Sequence, residues 1–355
     1  MSKQVMGWGI LGTGNAAIDF AQGLRHVSGS VLAAVGSRTA DKAEHFARIT
    51  GAHRACPGYE ALVADPTVDV VYVATPNALH KEHCLLALNA GKAVLCEKPF
   101  AMNSAEAQEI IALARREKLF CMEAMWMHFL PGMRKAMELV RAGAIGEPRM
   151  LTADFGVPTE MRLDSGVFSP ALGGGAMMDR GVYPLALALK LFGRPDKVEA
   201  ISTPTSSNVD EHSAVLLHFP GGQIATLAAT ITGYAANEAV IVGTEGRITI
   251  HEPLCRPDRL TLSRAPALTP AGRMMGNTGL KDRLRASRWA RELRRFLPGR
   301  ARTLYMPYTG NGYNYEASEV EQCLAAGALE STVWPLEQTS DLMQTLDRIK
   351  ARQST

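Results

Sequence analysis

The chain has 355 residues, 46% apolar, 21% charged and 6% aromatic, with 32 glycines and 19 prolines. That balance suits a globular protein of one to three domains and excludes a fibrous, mucin-like or wholly disordered chain. Thirty-eight basic against thirty-five acidic side chains leave a formal charge of +3, too little to imply a polyanionic partner.

The first residues lack a basic segment leading into a long apolar stretch, and no run reaches the roughly 18 apolar residues of a spanning helix. A cytoplasmic protein outside the membrane is therefore expected. Cys56, Cys84, Cys96, Cys121, Cys255 and Cys323 are scattered, with no CxxC pair. They read as small buried or half-buried residues, not as a disulfide framework or metal site.

In chain order, the first third alternates short apolar runs with helical stretches. Strands are expected at 5–11, 31–37 (VLAAVGS), 68–74 (VDVVYVA) and 93–96. Helices fall between them at 15–24, 40–49, 80–90 and 104–116, with a short element at 59–64. Asn103 and Glu106 supply a capping box for the last of these helices. This spacing predicts βαβ units around a parallel sheet.

The rhythm then changes. A helix at 130–141 precedes extended candidates at 149–155, 197–203, 212–219, 223–232, 238–243 and 247–251, several joined by Gly-containing turns. Helices at 183–192 and 315–326 accompany them. The prediction is an α/β chain with two domains. A boundary is expected near residue 122, between a doubly wound α/β domain over 1–122 and a second domain over 123–355 with an open, mostly antiparallel sheet; the motifs and resemblance below make these a dinucleotide-binding domain and a substrate-binding and oligomerisation domain. The last helix is allowed to return to the first domain. No internal repeat is apparent.

GILGTGNAA places Gly12, Gly14 and Ala17 in a GxGxxA arrangement between the first strand and first helix. Gly12 permits the tight turn, Gly14 lets a pyrophosphate approach the backbone, and Ala17 lets helix and strand pack closely. Gly12, Thr13, Gly14, Asn15 and Ala16 are the expected phosphate-binding backbone. The second strand ends in Ser37 and Arg38, where an NAD-selective protein commonly offers an acidic side chain to the ribose. Arg38 and Ser37 suit a 2′-phosphate instead, so NADP is expected over NAD. In the alternative, Arg38 is a solvated loop charge and Asp41 serves the ribose.

Thr75, Pro76, Asn77 and His80 follow the third predicted strand, and Glu97, Lys98 and Pro99 follow the next. Both stretches lie at carboxyl ends of parallel strands, where open α/β sheets bind ligands. Lys98 can orient a hydroxyl and oppose a developing alkoxide charge. The Lys98–Pro99 bond is a candidate cis peptide. His80 and His83 have a metal-like spacing, but no local carboxylate or cysteine completes a site, and no metal is expected.

The segment LGGGAMMDRGVYPL at 172–185 puts Asp179 and Tyr183 one turn apart if it is helical. A tyrosine beside a lysine or aspartate makes a proton-transfer group, because nearby positive charge favours phenolate. Taken alone, the pair also fits an ordinary helix with a core-facing tyrosine.

Together with ATPNALH at 74–80, CEKPF at 96–100 and GNGYNYEASEVEQCLAAG at 310–327, these motifs resemble the Gfo/Idh/MocA oxidoreductase family over nearly the whole chain. Within it, MEAMWMHFLP at 122–131 resembles the dimeric dihydrodiol dehydrogenase and NADP-dependent D-xylose dehydrogenase group. The resemblance implies a Rossmann domain, a C-terminal α/β domain and often a dimer through the sheet faces. By the same resemblance, Lys98 is the motif lysine, Asp179 the substrate-side acidic residue and Tyr183 the acid/base. The cofactor-binding set then includes Thr75, Pro76, Asn77, His80, Glu97 and Lys98. Glu123, Trp126 and Phe155 are candidates for shaping the substrate pocket, with a domain-interface or core role as the alternative.

The implied reaction moves hydride between NADP, or NAD, and a hydroxyl or carbonyl of a sugar or cyclic diol. The alternatives are an anhydro-sugar, ketose or dicarbonyl reductase, or a noncatalytic nucleotide sensor. The partners expected are a small polyhydroxylated or carbonyl substrate and a second copy of the chain, or more, without nucleic acid or membrane. An insertion at about 265–302 departs from the family pattern. Its last part carries nine basic residues, Lys281, Arg283, Arg285, Arg288, Arg291, Arg294, Arg295, Arg300 and Arg302, against Asp282 and Glu292. Leu284, Trp289, Leu293, Phe296 and Leu297 give an incomplete apolar stripe. A lid or subunit contact is preferred there over a surface for anionic partners.

Overall fold

The structure, a computed structural model, describes residues 5–162, 166–265 and 301–353. The first sheet has six strands: β1 (Met6–Leu11), β2 (Ser30–Ser37), β3 (Arg54–Pro57), β4 (Val70–Val73), β5 (Ala93–Glu97) and β6 (Cys121–Ala124). Their order is β3-β2-β1-β4-β5-β6, all parallel. Both faces are covered by helices, so β4 reads as an unbroken buried apolar run, VVYV, instead of alternating. The order reverses between β1 and β4, which opens a crevice at their carboxyl ends.

The crossover helices are α1 (Asn15–Leu24), α2 (Ala40–Thr50), the short α3 (Tyr59–Val63), α4 (His80–Asn89) and α5 (Ser104–Glu117). Asn103 caps α5 by accepting from the Glu106 amide at 2.9 Å, as the sequence predicts. β3, which the sequence reading lacked, is only four residues long and sits at the sheet edge. The first sheet runs through Ala124, two residues beyond the expected boundary, because β6 pairs with β5.

After α6 (Pro131–Arg141) comes an eight-stranded sheet of β7 (Pro148–Gly156), β8 (Lys197–Pro204), β9 (Asp210–His218), β10 (Ile224–Thr230), β11 (Ala239–Gly243), β12 (Gly246–Ile250), β13 (Arg259–Arg264) and β14 (Ala301–Tyr305). The order is β14-β13-β12-β11-β7-β10-β9-β8, antiparallel except where β10 runs beside β7. One face packs on α7 (Val182–Phe192) and, among the described residues, the other is exposed, which gives strands such as β10 their alternating burial.

Two further helices, α8 (Tyr313–Ala325) and α9 (Leu336–Gln353), close the chain. α8 returns to the first domain and packs on α1, while α9 lies against α5, α7 and β8 and so joins the two sheets. β13, β14 and α9 were missing from the expected elements. The insertion leaves from the hairpin edge formed by β13 and β14, where Ser263 pairs with Ala301. The lid-or-contact reading falls on residues 266–300, which lie outside the described residues; Ala301 and Arg302 belong to β14. Among the described residues, no helix is long and apolar enough to cross a membrane.

Candidate active site

The crevice at the β1/β4 switch point is a cleft of about 770 Å³ lined by Gly12 to Ala16, Ser37, Arg38, Thr39, Lys42, Tyr59 and the loop from Ala74 to Pro76, with Gly166 and Val167 across from them. Gly12 has φ of 108°, and a Cβ there would lie 2.5 Å from the Ala74 carbonyl oxygen, so only glycine permits this turn. A Cβ on Gly14 would instead meet nothing within 4 Å, so the cleft reaches its backbone. No side chain caps α1, which leaves its first amides and its dipole for an anionic ligand. These features fit the pyrophosphate of a dinucleotide.

Arg38, in the loop after β2, and Lys42, in the first turn of α2, both line the cleft, and Ser37 and Thr39 add hydroxyls. Asp41 is absent from the lining, which leaves the strand-end position basic. Lys42, Thr39 and Tyr59 were missed in the sequence. Lys42 was within reach of it, since it is a cation in the first turn of the helix that follows the strand end.

Beside the cleft, β4 and β5 are neighbours, so the residues following them share one rim. There Lys98 follows β5, and its bond to Pro99 is cis. The Lys98 ammonium donates to the Asp179 main-chain oxygen at 3.0 Å and to Asp179 Oδ1 at 3.3 Å. It also lies 4.9 Å from the centre of the Tyr183 ring. Asp179 and Tyr183 sit on one face because residues Met177–Gly181 form a wide π-type turn running directly into α7. Such turns recur at functional sites.

Tyr183 is held from three sides. Trp126 Nε1 donates to its hydroxyl at 3.0 Å, the Phe155 ring meets it edge-on at 5.3 Å, and Lys98 lies over its face. Arg180 pairs with Asp179 Oδ2 at 3.1 Å and covers Phe155 at 5.7 Å. Tyr313 stacks on Trp126 at 4.9 Å. This contact depends on Gly312, whose Cβ would otherwise press within 2.7 Å of the Trp126 ring.

Burial works against the Lys98 charge, but Tyr183, Asp179 and Glu97 outweigh it and hold the ammonium above its usual range. Burial raises the Asp179 carboxyl, yet Lys98 and Arg180 overcome this and keep it ionised. Burial also lifts the Tyr183 phenol above its ordinary range, and Lys98 and Trp126 oppose this without cancelling it. Lys98 thus favours the phenolate in the expected sense, but desolvation outweighs it, and near neutral pH the side chain is a phenol.

Four other expected site residues face inward. His80 is fully buried, with Nδ1 2.9 Å from the Pro99 carbonyl oxygen and Nε2 2.8 Å from that of Thr75. Burial pulls its pKa down to about 4 against those carbonyls, and since a neutral ring carries a single N–H it donates to one of the two motif loops while packing against the other. His83, the other half of the metal-like pair, is hydrogen-bonded to Thr75 Oγ1 at 2.9 Å.

Glu97 turns its carboxylate inward to accept from the Tyr72 hydroxyl and from the Lys98 amide. It sets the Lys98 backbone and does not face the cleft. Asn77 donates to the Gly173 carbonyl at 3.0 Å and so joins the rim to the second domain. Glu123 is 0% exposed and accepts from the Phe100 amide, Trp334 Nε1 and Thr339 Oγ1. Burial pushes its pKa up to about 7. Its place is the seam between the CEKPF loop and α9, which corrects the substrate-pocket reading. Trp126 and Phe155 do meet Tyr183.

Residues 6–125 match the model described as "Oxidoreductase family, NAD-binding Rossmann fold", and 133–249 match the "GFO/IDH/MocA C-terminal domain". The trans-1,2-dihydrobenzene-1,2-diol dehydrogenase of Mus musculus is 33% identical over 97% of this chain and 95% of its own. That of Homo sapiens is 30% identical over the same shares. An aldose-aldose oxidoreductase from Caulobacter crescentus, complexed with glycerol, is 25% identical with a TM-score of 0.80, covering 98% of this chain and 97% of that one. A 3-ketoreductase from Actinomadura kijaniata in complex with NADP and TDP-benzene shares the fold, with 23% identity, a TM-score of 0.80 and 98% of both chains covered. With relatives matched from end to end and both domains recognised, the chain belongs to the Gfo/Idh/MocA family of oxidoreductases.

Proposed function

We propose that the protein is an NADP-preferring dehydrogenase that oxidises a hydroxyl of a sugar or a cyclic trans-diol, or reduces the matching carbonyl. The observation that carries this reading is the Lys98, Asp179 and Tyr183 cluster on the rim beside the dinucleotide cleft. Bound there, the nicotinamide supplies the hydride acceptor or donor. Tyr183 exchanges the proton of the reacting oxygen. Its hydroxyl oxygen already accepts from Trp126, which leaves its own hydrogen for the substrate. Lys98 stabilises negative charge developing on that oxygen, held in place by both oxygens of Asp179 that it contacts.

The substrate class rests on the names of the relatives, which act on trans-dihydrodiols and aldoses. A second reading, reduction of a ketose, anhydro-sugar or dicarbonyl, runs the same groups in reverse, with the Tyr183 phenol giving its proton to the carbonyl oxygen. Nicotinamide absorbance with NADP or NAD and a panel of aldoses, inositols and trans-dihydrodiols, and in reverse with ketoses and dicarbonyls, tests both. Turnover in neither direction, with cofactor bound, would leave only a nucleotide sensor.

The NADP preference rests on Arg38 and Lys42, since among the described residues no carboxylate lines the cleft. A hydrogen bond to a charged group contributes about 1.5–3 kcal/mol. Arg38→Ala is therefore expected to weaken NADP binding about tenfold or more and leave NAD binding nearly unchanged, as a fluorescence titration reads. Equal weakening of both cofactors would place Arg38 away from the 2′-phosphate.

The open face of the second sheet supports a homodimer. Ile201 is 73% exposed, Leu216 48% and Met150 45%, and the register places Ile224 beside Met150. Such an apolar face calls for a cover. Leu216→Glu together with Ile201→Glu is expected to shift the light-scattering mass from dimer to monomer. A wild-type chain that already runs as a monomer would remove the proposal.

A further inference from the structure

On the far side of the turn that holds Trp126 lies a second, smaller pocket of about 210 Å³, lined among others by His128, Arg134, Arg141, Lys190, Thr332 and Val333. It sits between α6, the end of α7 and the segment leading into α9. Among the described residues its lining carries three cations and no carboxylate. The Glu319 carboxylate comes only to 4.0 Å from Arg134, and Lys190 donates to the Val333 carbonyl and to Gln338 Oε1, which leaves it one further N–H.

His128 supplies the second observation. It is 3% exposed, and among the described residues neither ring nitrogen has a hydrogen-bond partner. Its ring stacks on Trp334 at 4.6 Å, which fixes its plane. Buried polar groups in folded proteins are nearly always paired, so an orphan of this kind calls for a ligand or solvent. Burial and Lys190 together pull the His128 pKa down to about 3, and burial and Arg141 lower that of Lys190. The group thus has positive charges that oppose one another and a polar ring without a partner, both of which an anion would relieve.

We propose that this pocket is a binding site for a small phosphate, free or as a monoester, distinct from the dinucleotide cleft. A phosphate can accept from the two guanidiniums and the Lys190 ammonium. In its monoprotonated form it can also donate to the free nitrogen of a neutral His128. The pocket is too small for a dinucleotide, whose cleft is more than three times larger. His128 and Trp126 belong to the same short turn, Trp126–Phe129, so this site and Tyr183 share one structural element.

The test is calorimetric titration of the full chain with inorganic phosphate and, separately, with glycerol 3-phosphate, at constant ionic strength. Trp334 fluorescence serves as a second readout. The variants are Arg134→Ala with Arg141→Ala, and Arg38→Ala. Both pocket arginines are largely exposed, so the double variant should fold; circular dichroism checks this.

The expected result is saturable binding of one or both probes that survives Arg38→Ala and weakens about tenfold or more in the double variant. The tighter probe tells a free phosphate from a monoester. The proposal is overturned by absence of saturable binding or by equal affinity in the double variant. Loss in Arg38→Ala alone would also overturn it, since that result places the phosphate in the dinucleotide cleft. The proposal does not depend on the reaction assigned above.

Discussion

Tyr183→Phe is expected to lower turnover roughly 10²–10⁴-fold, the usual contribution of a positioned acid or base, while NADP binding stays nearly unchanged. The substitution removes one oxygen from a ring that Phe155, Lys98 and Trp126 already hold in place, so the packing survives. What is lost is the group that exchanges a proton with the reacting oxygen. The sign of the pH dependence follows from its raised pKa. Near neutral pH the side chain is a phenol, which is the form that donates to a carbonyl being reduced. Oxidation needs the phenolate, so the oxidation rate of the wild type should climb with pH through the alkaline range. In Tyr183→Phe that climb should disappear. A variant that retains wild-type rates in both directions would remove Tyr183 from the reaction and leave it as a core residue.

Lys98→Met is expected to cost roughly 10²–10³-fold in turnover, comparable to deleting one donor aimed at a developing oxyanion. The ammonium is fixed by the Asp179 carboxylate and main-chain oxygen, and the Asp179 and Glu97 carboxylates support its charge against burial. Asp179 keeps its pairing with Arg180 in the variant, so the carboxylate is not stranded and the chain should fold. Lys98→Arg should restore little, since a planar guanidinium cannot take the place of a compact ammonium between Asp179 and the Tyr183 ring. Steady-state and single-turnover rates with a confirmed substrate check both variants. A loss confined to KM, with kcat intact, would show that Lys98 only binds substrate.

These two side chains show how far the sequence reaches. Lys98 and Tyr183 lie 85 positions apart, yet each was legible as a candidate because its motif is local: CEKPF after a strand, and DRGVY opening a helix. That the two meet through Asp179 is a fact of the interface between domains. The desolvation of Tyr183 was out of the sequence's reach for the same reason. Its charged neighbour could be guessed, but its desolvation depends on Phe155, Trp126 and Tyr313, which arrive from three distant segments. Glu123, which takes the domain-interface role held as its alternative, and His80 show a different limit. Both are polar residues beside motifs, and only burial distinguishes a buried tie between loops from a ligand contact. The helix α9 was within reach, for Leu336, Leu342, Met343, Leu346 and Ile349 recur at helical spacing and are buried on one face.

By itself the sequence determined what is settled locally: the alternation of strand and helix, the glycine turn that bares α1's amides, the basic strand end at Arg38, and the alternating strands of a sheet open on one face. Those features follow from backbone geometry and from periodicity over a few residues. The tertiary structure alone decided which polar groups are desolvated and which side chains share a charge. It placed Trp126 on Tyr183, turned Glu123 into the seam with α9, and gathered Arg134, Arg141 and Lys190 around an unpartnered His128. The physical reason is that burial and Coulombic interaction depend on distance in space, which residue spacing along the chain does not encode beyond a turn or a strand pair.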